Sequence, residues 1–199
     1  MNAFKKIIIL SLGILSACAP PRPASQAPMN ENMPVDKRVE KTATISSWVI
    51  KGALAAKNKK KSWTASLNWK QQGSSNYQIR LFGPLGSGTV MIEKNGGMIA
   101  FKDGDKRITS NNPDQLLYEQ TGIRLPVRSL YYWVRGLPAP GAVQSKSYDN
   151  YNHLKTLKQG GYTVNYLSYT SKGQVDLPSK IKLTGHGVLM KLIIKSWSV

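Results

Sequence analysis

The chain has 199 residues, with 28 Lys and Arg against 10 Asp and Glu, so its formal net charge is +18. The length suits one domain with a core, and a hydrophobic fraction of 41% excludes both a disordered chain and a membrane bundle. The single cysteine excludes a disulfide framework and a cysteine-based zinc site. With only two histidines besides, the chain has few of the residues that common hydrolytic or metal-dependent enzymes use. Such a basic charge favours a polyanionic partner: nucleic acid, an anionic membrane surface or an acidic protein.

The first 17 residues predict an export signal peptide. Lys5 and Lys6 precede an apolar stretch over residues 7–15, which is too short to cross a hydrocarbon core of about 30 Å but suits a signal peptide. The stretch ends in Leu15-Ser16-Ala17-Cys18, which is typical of a bacterial lipobox, whose cysteine is acylated and becomes the first mature residue. Because Cys18 is the single cysteine, this interpretation is favoured over a buried N-terminal strand or an ordinary cleaved signal.

Lipidation at Cys18 predicts a location and a tether. More than one acyl chain gives stable anchoring, and Ala19 after the cysteine favours the outer membrane, so we expect the domain at the periplasmic face and disfavour nucleic acid as a partner. Loss of the signal lowers the formal charge from +18 to +16. Residues 18–35 predict a lipidated tether, because prolines among small polar residues favour extended conformations. These prolines are Pro20, Pro21, Pro23, Pro28 and Pro34.

Residues 36–199 predict a single domain made mainly of strands. Apolar and polar side chains alternate with a period of two, which is typical of strands with one buried face. The apolar members are Trp48, Ile50, Gly52, Leu54 and Ala56; Trp63, Ala65, Leu67 and Trp69; Tyr77, Ile79 and Leu81; Val90 and Ile92; and Met98 and Ala100. The alternation resumes at residues 154–157, 162–169, 181–183 and 188–197. Turn clusters at residues 57–61, 72–75, 95–97 and 103–105 indicate an antiparallel meander.

Two predicted helices interrupt the strands. Residues 113–119 predict one, with Asn112 as cap and Pro113 at its first position, and residues 126–135 predict another that Gly136 ends. We therefore expect a mainly β fold, in which a curled antiparallel sheet of nine to eleven strands forms a half-open β-barrel with helices covering the cavity mouth. The pattern alone leaves the interior open between a packed core and a ligand cavity.

The segment over residues 81–89 joins two predicted strands with three glycines and one proline. Pro84 presets a turn and the glycines permit positive φ angles, but Leu85 then stands where a polar residue is more favourable. Two interpretations stay open at this point. Leu85 either folds back onto the core or is an exposed apolar side chain with a function.

Several motifs, taken in chain order, resemble the LolB family. They are the lipobox, Trp48-x-x-x-Gly52, Trp69-Lys70-Gln71-Gln72, Gly83-Pro84-Leu85-Gly86, and Leu125-Pro126-x-x-x-Leu130-x-x-Trp133-x-x-Gly136-Leu137-Pro138. The resemblance covers residues 44–199, and the stretch at residues 133–138 together with the Pro-Leu-Gly loop is its most specific part. The chain departs from the family at Gly83, where a polar residue can precede the proline.

The resemblance implies a half-open barrel whose helices cap an apolar cavity, with no enzyme activity and no cofactor. It implies a receptor that takes acylated lipoproteins from the periplasmic carrier LolA and inserts them into the outer membrane. The family's protruding loop leucine, which serves insertion, corresponds to Leu85 between Pro84 and Gly86. Phospholipid of the outer membrane is the expected acceptor, and we expect a monomer. The expected acyl-contacting residues are Trp48, Ile50, Leu54, Trp63, Leu67, Trp69, Leu81, Leu130 and Trp133.

Other features give weaker expectations. The basic turn at residues 57–61 is either a solvated face or a contact for an acidic carrier rim or anionic headgroups. Residues 103–105 predict a polar turn rather than a calcium loop, since no glutamate follows at the required spacing, and neither histidine lies in a Gly-x-Ser-x-Gly context. The alternative function is a structural or interaction lipoprotein of the envelope with a filled core.

Overall fold

The structure, a computed structural model, describes residues 32–83, 88–122, 124 and 126–199. The predicted signal peptide, Cys18 and most of the tether lie outside the described residues, as do Pro84, Leu85 and Gly86. The described part contains α1 (Val35–Ala43), β1 (Trp48–Lys57), β2 (Ser62–Gln72), β3 (Asn76–Phe82), β4 (Thr89–Asn95), β5 (Met98–Asp103), β6 (Lys106–Ser110), α2 (Pro113–Thr121), α3 (Val127–Trp133), β7 (Val143–Tyr148), β8 (Leu154–Gln159), β9 (Tyr162–Lys172), β10 (Val175–Gly185) and β11 (Val188–Ser198).

All eleven strands form one antiparallel sheet that does not close. Its order is β6-β5-β4-β3-β2-β1-β11-β10-β9-β8-β7, so two meanders meet where β1 pairs with β11. In the described part of the chain, β6 and β7 are the edge strands, each paired on one side. The predicted half-open antiparallel barrel is therefore confirmed.

The segment between the two edge strands carries α2 and α3. Because it must pass from one edge of the curled sheet to the other, its helices lie across the open side. Asn112 caps α2 by accepting a hydrogen bond from the N–H of Gln115 at 3.2 Å, and Pro113 occupies the first turn. Gly122, with φ of 69°, ends α2 in the left-handed conformation that favours glycine. Both predicted helices are confirmed.

The core lies between the concave face of the sheet and the helices. Trp48 packs edge-on against Trp69 and Trp197, with ring centroids 4.8 Å and 5.5 Å apart. On α3, the indole N–H of Trp133 donates to Oε1 of the buried Gln159 at 2.9 Å. Large aromatic groups therefore join the central strands of the sheet, and the buried amide of Gln159 fixes α3 to β8.

Three elements and one inward face differ from the sequence predictions. The helix α1 and the edge strands β6 and β7 were not predicted. In β5, Met98 is 51% exposed, whereas Ile99 and Phe101 are buried and fill the inner face. The predicted alternation at Met98 and Ala100 is therefore wrong, because the buried Ala100 lies on the opposite face of the strand from Ile99. No helix of the described ranges is long and apolar enough to span a bilayer.

Candidate functional site

The nine residues predicted to contact acyl chains belong to one apolar cluster. They come from three adjacent strands and from α3. Six are buried, namely Trp48, Ile50, Leu67, Trp69, Leu130 and Trp133. Leu54, Trp63 and Leu81 are partly buried and pack against the cluster that contains the other six. The structure therefore brings all nine into one apolar cluster, in which these three side chains are the partly accessible ones of the predicted set.

Strand register arranges the concave face in rows of different polarity. The central row is apolar across six strands: Ile50, Trp69, Ile79, Ile92, Phe101 and Ile108. The next row on one side is Gly52, Leu67, Leu81 and Val90 on β1–β4, and it ends in Asp103 and Lys106 on β5 and β6. The next row on the other side is Trp48, Gln71, Tyr77 and Lys94 on β1–β4, and it continues to Ile99 and Ser110. Across β1–β4, polarity thus rises toward one end of the sheet, and on these strands hydrocarbon is best accommodated toward the other end.

The apolar side of this gradient lies at what we call the loop end, the end of the sheet where residues 83–88 connect β3 to β4. The N–H of Gly83 donates to the carbonyl of Gly88 at 3.1 Å and closes this connection. Its tip, with the predicted insertion residues Pro84, Leu85 and Gly86, lies outside the described residues.

The partly buried side chains of the predicted set lie toward the loop end. Leu81 is the penultimate residue of β3 and Trp63 the second residue of β2, which begins at this end. Leu54 lies on β1 opposite Ala65. Along the strand direction it therefore lies between the level of Trp63 and the level of Leu81. The partly accessible members of the predicted set are therefore adjacent to the connection between β3 and β4.

The tryptophan side chains of the concave face differ in their hydrogen bonding. The indole N–H of Trp69 donates to Gln71 Oε1, and that of Trp197 donates to the carbonyl of Pro178, both at 2.9 Å. The N–H of Trp48 is buried, and none of the described residues accepts a hydrogen bond from it. A buried donor of this kind is destabilising while unpaired, so Trp48 offers a donor to a polar group that enters the cluster.

A buried arginine fixes α3 to the residues before β1. The Nε of Arg135 donates to the carbonyl of Tyr131 at 3.0 Å, and its Nη1 donates to that of Ile45 at 2.6 Å. The guanidinium lies 4.1 Å from the ring centroid of Tyr131. Burial lowers the pKa of Arg135, while Tyr131 and Tyr132 oppose that change, and an arginine so placed keeps its charge. Arg135, which lies within the stretch at residues 133–138, is therefore structural.

Sequence reasoning missed a recess at the opposite end of the concave face. Its volume is about 550 Å³, and Tyr77, Lys94 and Arg128 are among its lining residues. The hydroxyl of Tyr77 is buried without a hydrogen-bond partner in the described part of the chain. Burial raises the pKa of Tyr77 well above its ordinary value, Asp114 adds to this rise and Arg128 opposes it. The sequence feature that indicates this recess is Lys94, a charged residue on the same face of its strand as the apolar Ile92 and Val90.

A second missed group contains serine, histidine and aspartate but is structural. His153 Nε2 lies 2.8 Å from Asp176 Oδ2, and Nδ1 lies 3.0 Å from Asp149 Oδ2. Ser171 Oγ donates to Asp176 Oδ1 at 2.6 Å, and Arg38 of α1 reaches the same carboxylate at 3.0 Å. Because carboxylates occupy both ring nitrogens, His153 cannot accept a proton from a serine nucleophile. The group instead holds α1 against β10.

Comparisons with known proteins agree with this architecture. The profile of the family described as "Outer membrane lipoprotein LolB" matches residues 46–197. This chain belongs to the LolB family. The LolB of Coxiella burnetii (strain RSA 493 / Nine Mile phase I) is 34% identical over 192 residues, which are 96% of this chain and 90% of the relative. The LolB of Pseudomonas savastanoi pv. phaseolicola is 34% identical over 197 residues, with 97% and 95% of the two chains covered.

Solved structures support the fold alone. A LolA superfamily protein from Nitrosomonas europaea matches with a TM-score of 0.52 at 10% identity, covering 84% of this chain and 94% of that protein. A DUF1329 family protein from Desulfovibrio piger matches with a TM-score of 0.50 at 6% identity, covering 82% and 88%. The fold is therefore shared with proteins that are only 6–10% identical to this chain.

Membership of the LolB family confirms the predicted class of function. The protein is an outer-membrane lipoprotein that acts in lipoprotein localisation, which is transport and not enzyme catalysis. Five of the motif residues lie on the elements that form the site: Trp48 and Gly52 on β1, Trp69 on β2, and Leu130 and Trp133 on α3.

Proposed function

We propose that this LolB-family protein, anchored through an acylated Cys18, accepts lipoproteins from a periplasmic carrier of the LolA type and inserts them into the outer membrane. The observation that carries the proposal is the partly buried apolar set Leu54, Trp63 and Leu81 on the concave face at the loop end. These side chains form an accessible apolar surface that continues into the buried residues of the same cluster. Such a surface suits a hydrocarbon chain.

The free energy of an exposed acyl chain explains why transfer must be direct. Burial of each methylene contributes about 0.8 kcal/mol, so about 14 methylenes contribute about 11 kcal/mol. A chain that left the carrier for water would lose all of this. We therefore infer that cargo passes from the apolar surface of the carrier to that of the receptor while the two are in contact.

Uptake of the acyl chain begins where the apolar surface is accessible. Contact with Trp63 and Leu81 requires side-chain movement only, because both are already partly exposed. Ile50 and Trp69 are 0% and 4% exposed, so a chain reaches them only by displacing the packing between the sheet and the helices. We propose that bound hydrocarbon lies first along the row nearest the loop end and then along the central row.

Leu85 is proposed to act in release. Burial of a leucine side chain stabilises by about 1.5–3 kcal/mol, and each 1.4 kcal/mol corresponds to about a tenfold change in rate. If Leu85 dips into the bilayer in the transition state for insertion, its replacement by a charged residue slows insertion by about 10- to 100-fold. Binding of cargo to the receptor does not use this contact and is expected to stay unchanged.

The variant Leu85→Glu tests this role in an assay with purified carrier–cargo complex and outer-membrane vesicles. We expect cargo to leave the carrier at the wild-type rate but to stay on the receptor. Met98→Glu is the matched control, because Met98 is an exposed apolar residue at the start of β5, away from the loop end. Normal insertion by Leu85→Glu, or an equal defect in Met98→Glu, would refute the role of the loop.

Tryptophan quenching separates the receptor from a structural lipoprotein with a filled core. Cargo with brominated acyl chains should quench Trp63 first, since it is the partly buried tryptophan of the predicted set. Fluorescence is compared in variants in which Trp48, Trp63 or Trp69 is replaced singly by Phe. The loss of quenching should be largest in Trp63→Phe. If cargo changes the emission of none of these tryptophans, the concave face is a plain core and the proposal fails.

A further inference from the structure

Four cationic side chains and one histidine converge at the loop end of the sheet. The register places the turn between β1 and β2 beside the turn between β10 and β11, because Lys57 lies opposite both Ser62 and Leu189. The C-terminal end of α2 reaches the same place, where Asn58 Nδ2 donates to the carbonyl of Gly122 at 2.8 Å. Three segments that are distant in sequence therefore meet at the end of the sheet that carries residues 83–88.

Together they enclose what we call the basic recess, with a volume of about 360 Å³. Its charged and titratable lining residues are Lys59, Lys60, Lys61, Arg124 and His186. The rest of the lining contains no carboxylate: Asn58, Tyr118, Gly122, Gly187 and Val188. Within the described ranges, none of the five basic side chains forms an ion pair with an acidic residue. The charge of the recess is thus left for an external anion.

Hydrogen bonds hold the lysine turn in a fixed conformation. Asn58 Oδ1 accepts from the backbone N–H groups of Lys60 and Lys61, both at 2.8 Å, and the N–H of Asn58 donates to the carbonyl of Lys61 at 2.9 Å. This is the local bonding that Asn supplies in turns. Because Asn58 also binds Gly122, the turn is anchored to α2. The lysines therefore project from a fixed backbone rather than from a loosely solvated loop.

The other basic groups are positioned as well. The guanidinium of Arg124 lies 5.0 Å from the ring centroid of Tyr118. His186 Nε2 lies 3.1 Å from the carbonyl oxygen of Gly160 and must donate, since a carbonyl can only accept. An anion that enters the recess thus meets basic side chains whose supports are already in place, which reduces the ordering that binding requires.

An adjoining recess indicates which anion fits. It has a volume of about 440 Å³, shares Tyr118, Arg124 and His186 with the basic recess, and adds the carboxylate of Asp114. A zwitterionic headgroup whose phosphate lies at the shared Arg124 and His186 has an ammonium that suits Asp114 in the adjoining recess. A uniformly acidic protein surface would instead meet Asp114 as a like charge. The arrangement therefore favours a phospholipid headgroup over an acidic protein.

We propose that the basic recess binds the phosphate of a phospholipid headgroup and thereby holds the loop end of the domain against the membrane surface. The inference rests on the proposed function only in taking the loop end as the end that meets the bilayer. Headgroup binding itself can be measured without carrier or cargo. Its failure is therefore distinguishable from failure of the proposed transfer.

The test uses the mature chain, residues 18–199, with Cys18→Ala so that it cannot be acylated, and vesicles of equal parts phosphatidylethanolamine and phosphatidylglycerol. In this background we compare a recess variant with Lys59, Lys60 and Lys61 replaced by Gln and a control variant with Lys70, Lys155 and Lys195 replaced by Gln. Both lose three positive charges, and all six lysines are exposed, so the fold should be retained in each. Thermal unfolding measures that directly.

Each basic residue near an anionic membrane surface contributes roughly a fivefold gain in affinity, so the recess variant should bind vesicles about 100-fold more weakly. The control variant should lose less than about tenfold, because its lysines lie on strands outside the recess. Soluble glycerophosphoethanolamine should compete for the wild-type recess. Equal losses in the two variants would mean that only net charge matters, and the proposal would be overturned.

Two further results would overturn the proposal in favour of another ligand. If inorganic phosphate binds the wild type but not the recess variant, while both variants bind vesicles equally, the recess takes free phosphate. If the recess variant binds vesicles as the wild type does but no longer binds the acidic carrier, the recess is a protein contact. Vesicle sedimentation, phosphate titration and carrier pull-down measure the three possibilities on the same proteins.

Discussion

Gly52 on β1 is the position where one added methyl group should disturb the centre of the sheet most. Its strand neighbours are Leu67 on β2 and Ile194 on β11, and the register between β1 and β11 shifts between Lys51 and Gly52. A Cβ built on Gly52 would lie 1.9 Å from the carbonyl oxygen of Ile193 and 3.1 Å from Cα of Ile194. The register shift thus brings the backbone of β11 onto the space that any side chain would need.

The expected loss for Gly52→Ala follows from the nature of the contact. Overpacking of a core costs about 1–3 kcal/mol when side chains can adjust, and here the neighbour is backbone, which cannot rotate away. Replacing Gly lowers the entropy of the unfolded chain and returns about 0.4–1 kcal/mol. With the upper end of the overpacking cost, about 3 kcal/mol, less this gain, we expect a net loss of about 2–2.6 kcal/mol. For a domain of this size, that lowers Tm by roughly 4–10 °C.

Thermal and urea unfolding of Gly52→Ala and Gly97→Ala measure the difference. Gly97 is the matched control, because a Cβ there meets no heavy atom within 4 Å and its φ lies outside the left-handed region. Gly97→Ala should be neutral or slightly stabilising. A Gly52→Ala variant within about 0.5 kcal/mol of the wild type would show that the two central strands separate easily and would refute the assigned reason for glycine.

Two further variants test the polar groups of the domain. Tyr77→Phe should leave the free energy of unfolding unchanged or raise it by about 1 kcal/mol, since the hydroxyl is buried and none of the described residues bonds to it. Tyr169→Phe should lower it by about 1 kcal/mol, since that hydroxyl donates to the carbonyl of Leu154 at 2.6 Å. Denaturant unfolding of the two variants measures both changes. Burial raises the pKa of Asp149, but hydrogen bonds from His153 and Tyr151 outweigh it and lower the pKa overall. The stability from Asp149 should therefore be present above about pH 4 and lost as pH falls through the lowered pKa. Asp149→Asn should be less stable than wild type at neutral pH and lose that difference in acid, and a constant difference across a pH titration of unfolding would contradict this.

The sequence was sufficient for the strands that have one buried face. In β1, Trp48, Ile50 and Ala56 are buried and alternate with less buried residues, so the period of two was readable. The edge strands β6 and β7 have almost no buried side chains, and their backbone pairing leaves no periodic signal. Both were missed for that reason.

The helix α1 was missed because the contacts that place it are distant in sequence. Thr42 is its single buried residue and Val39 is exposed, so its apolar side is only weakly marked. Arg38 joins α1 to Asp176 on β10 and to the carbonyl of Tyr151, which are 138 and 113 positions away in sequence. Sequence patterns within α1 carry no information about such a partner.

The candidate site, like the fold, was predicted from the sequence only in part. Alternation identified Trp48, Trp63 and Trp69 as one inward set, and the structure places them in one cluster. It could not show that Trp63 stays partly buried while the other two are covered, because exposure depends on where α2 and α3 lie over the sheet. Arg124 and His186 reach the lysine turn only because of the register of four strands, which the sequence does not show. Composition alone therefore predicted an anionic partner but not the basic recess.

The fixed points of the helices indicate how the protein can open without unfolding. Gln159 binds Trp133 and both backbone groups of Ala139, and Arg135 binds the carbonyls of Tyr131 and Ile45, so α3 is held at its C-terminal side. Opening there would break buried hydrogen bonds, each of which costs about 1–3 kcal/mol if left unpaired. At the loop end, movement of partly buried apolar side chains breaks no such bond. Hydrocarbon uptake is therefore expected to proceed from the loop end, beside the same cations that we propose hold this end at the membrane.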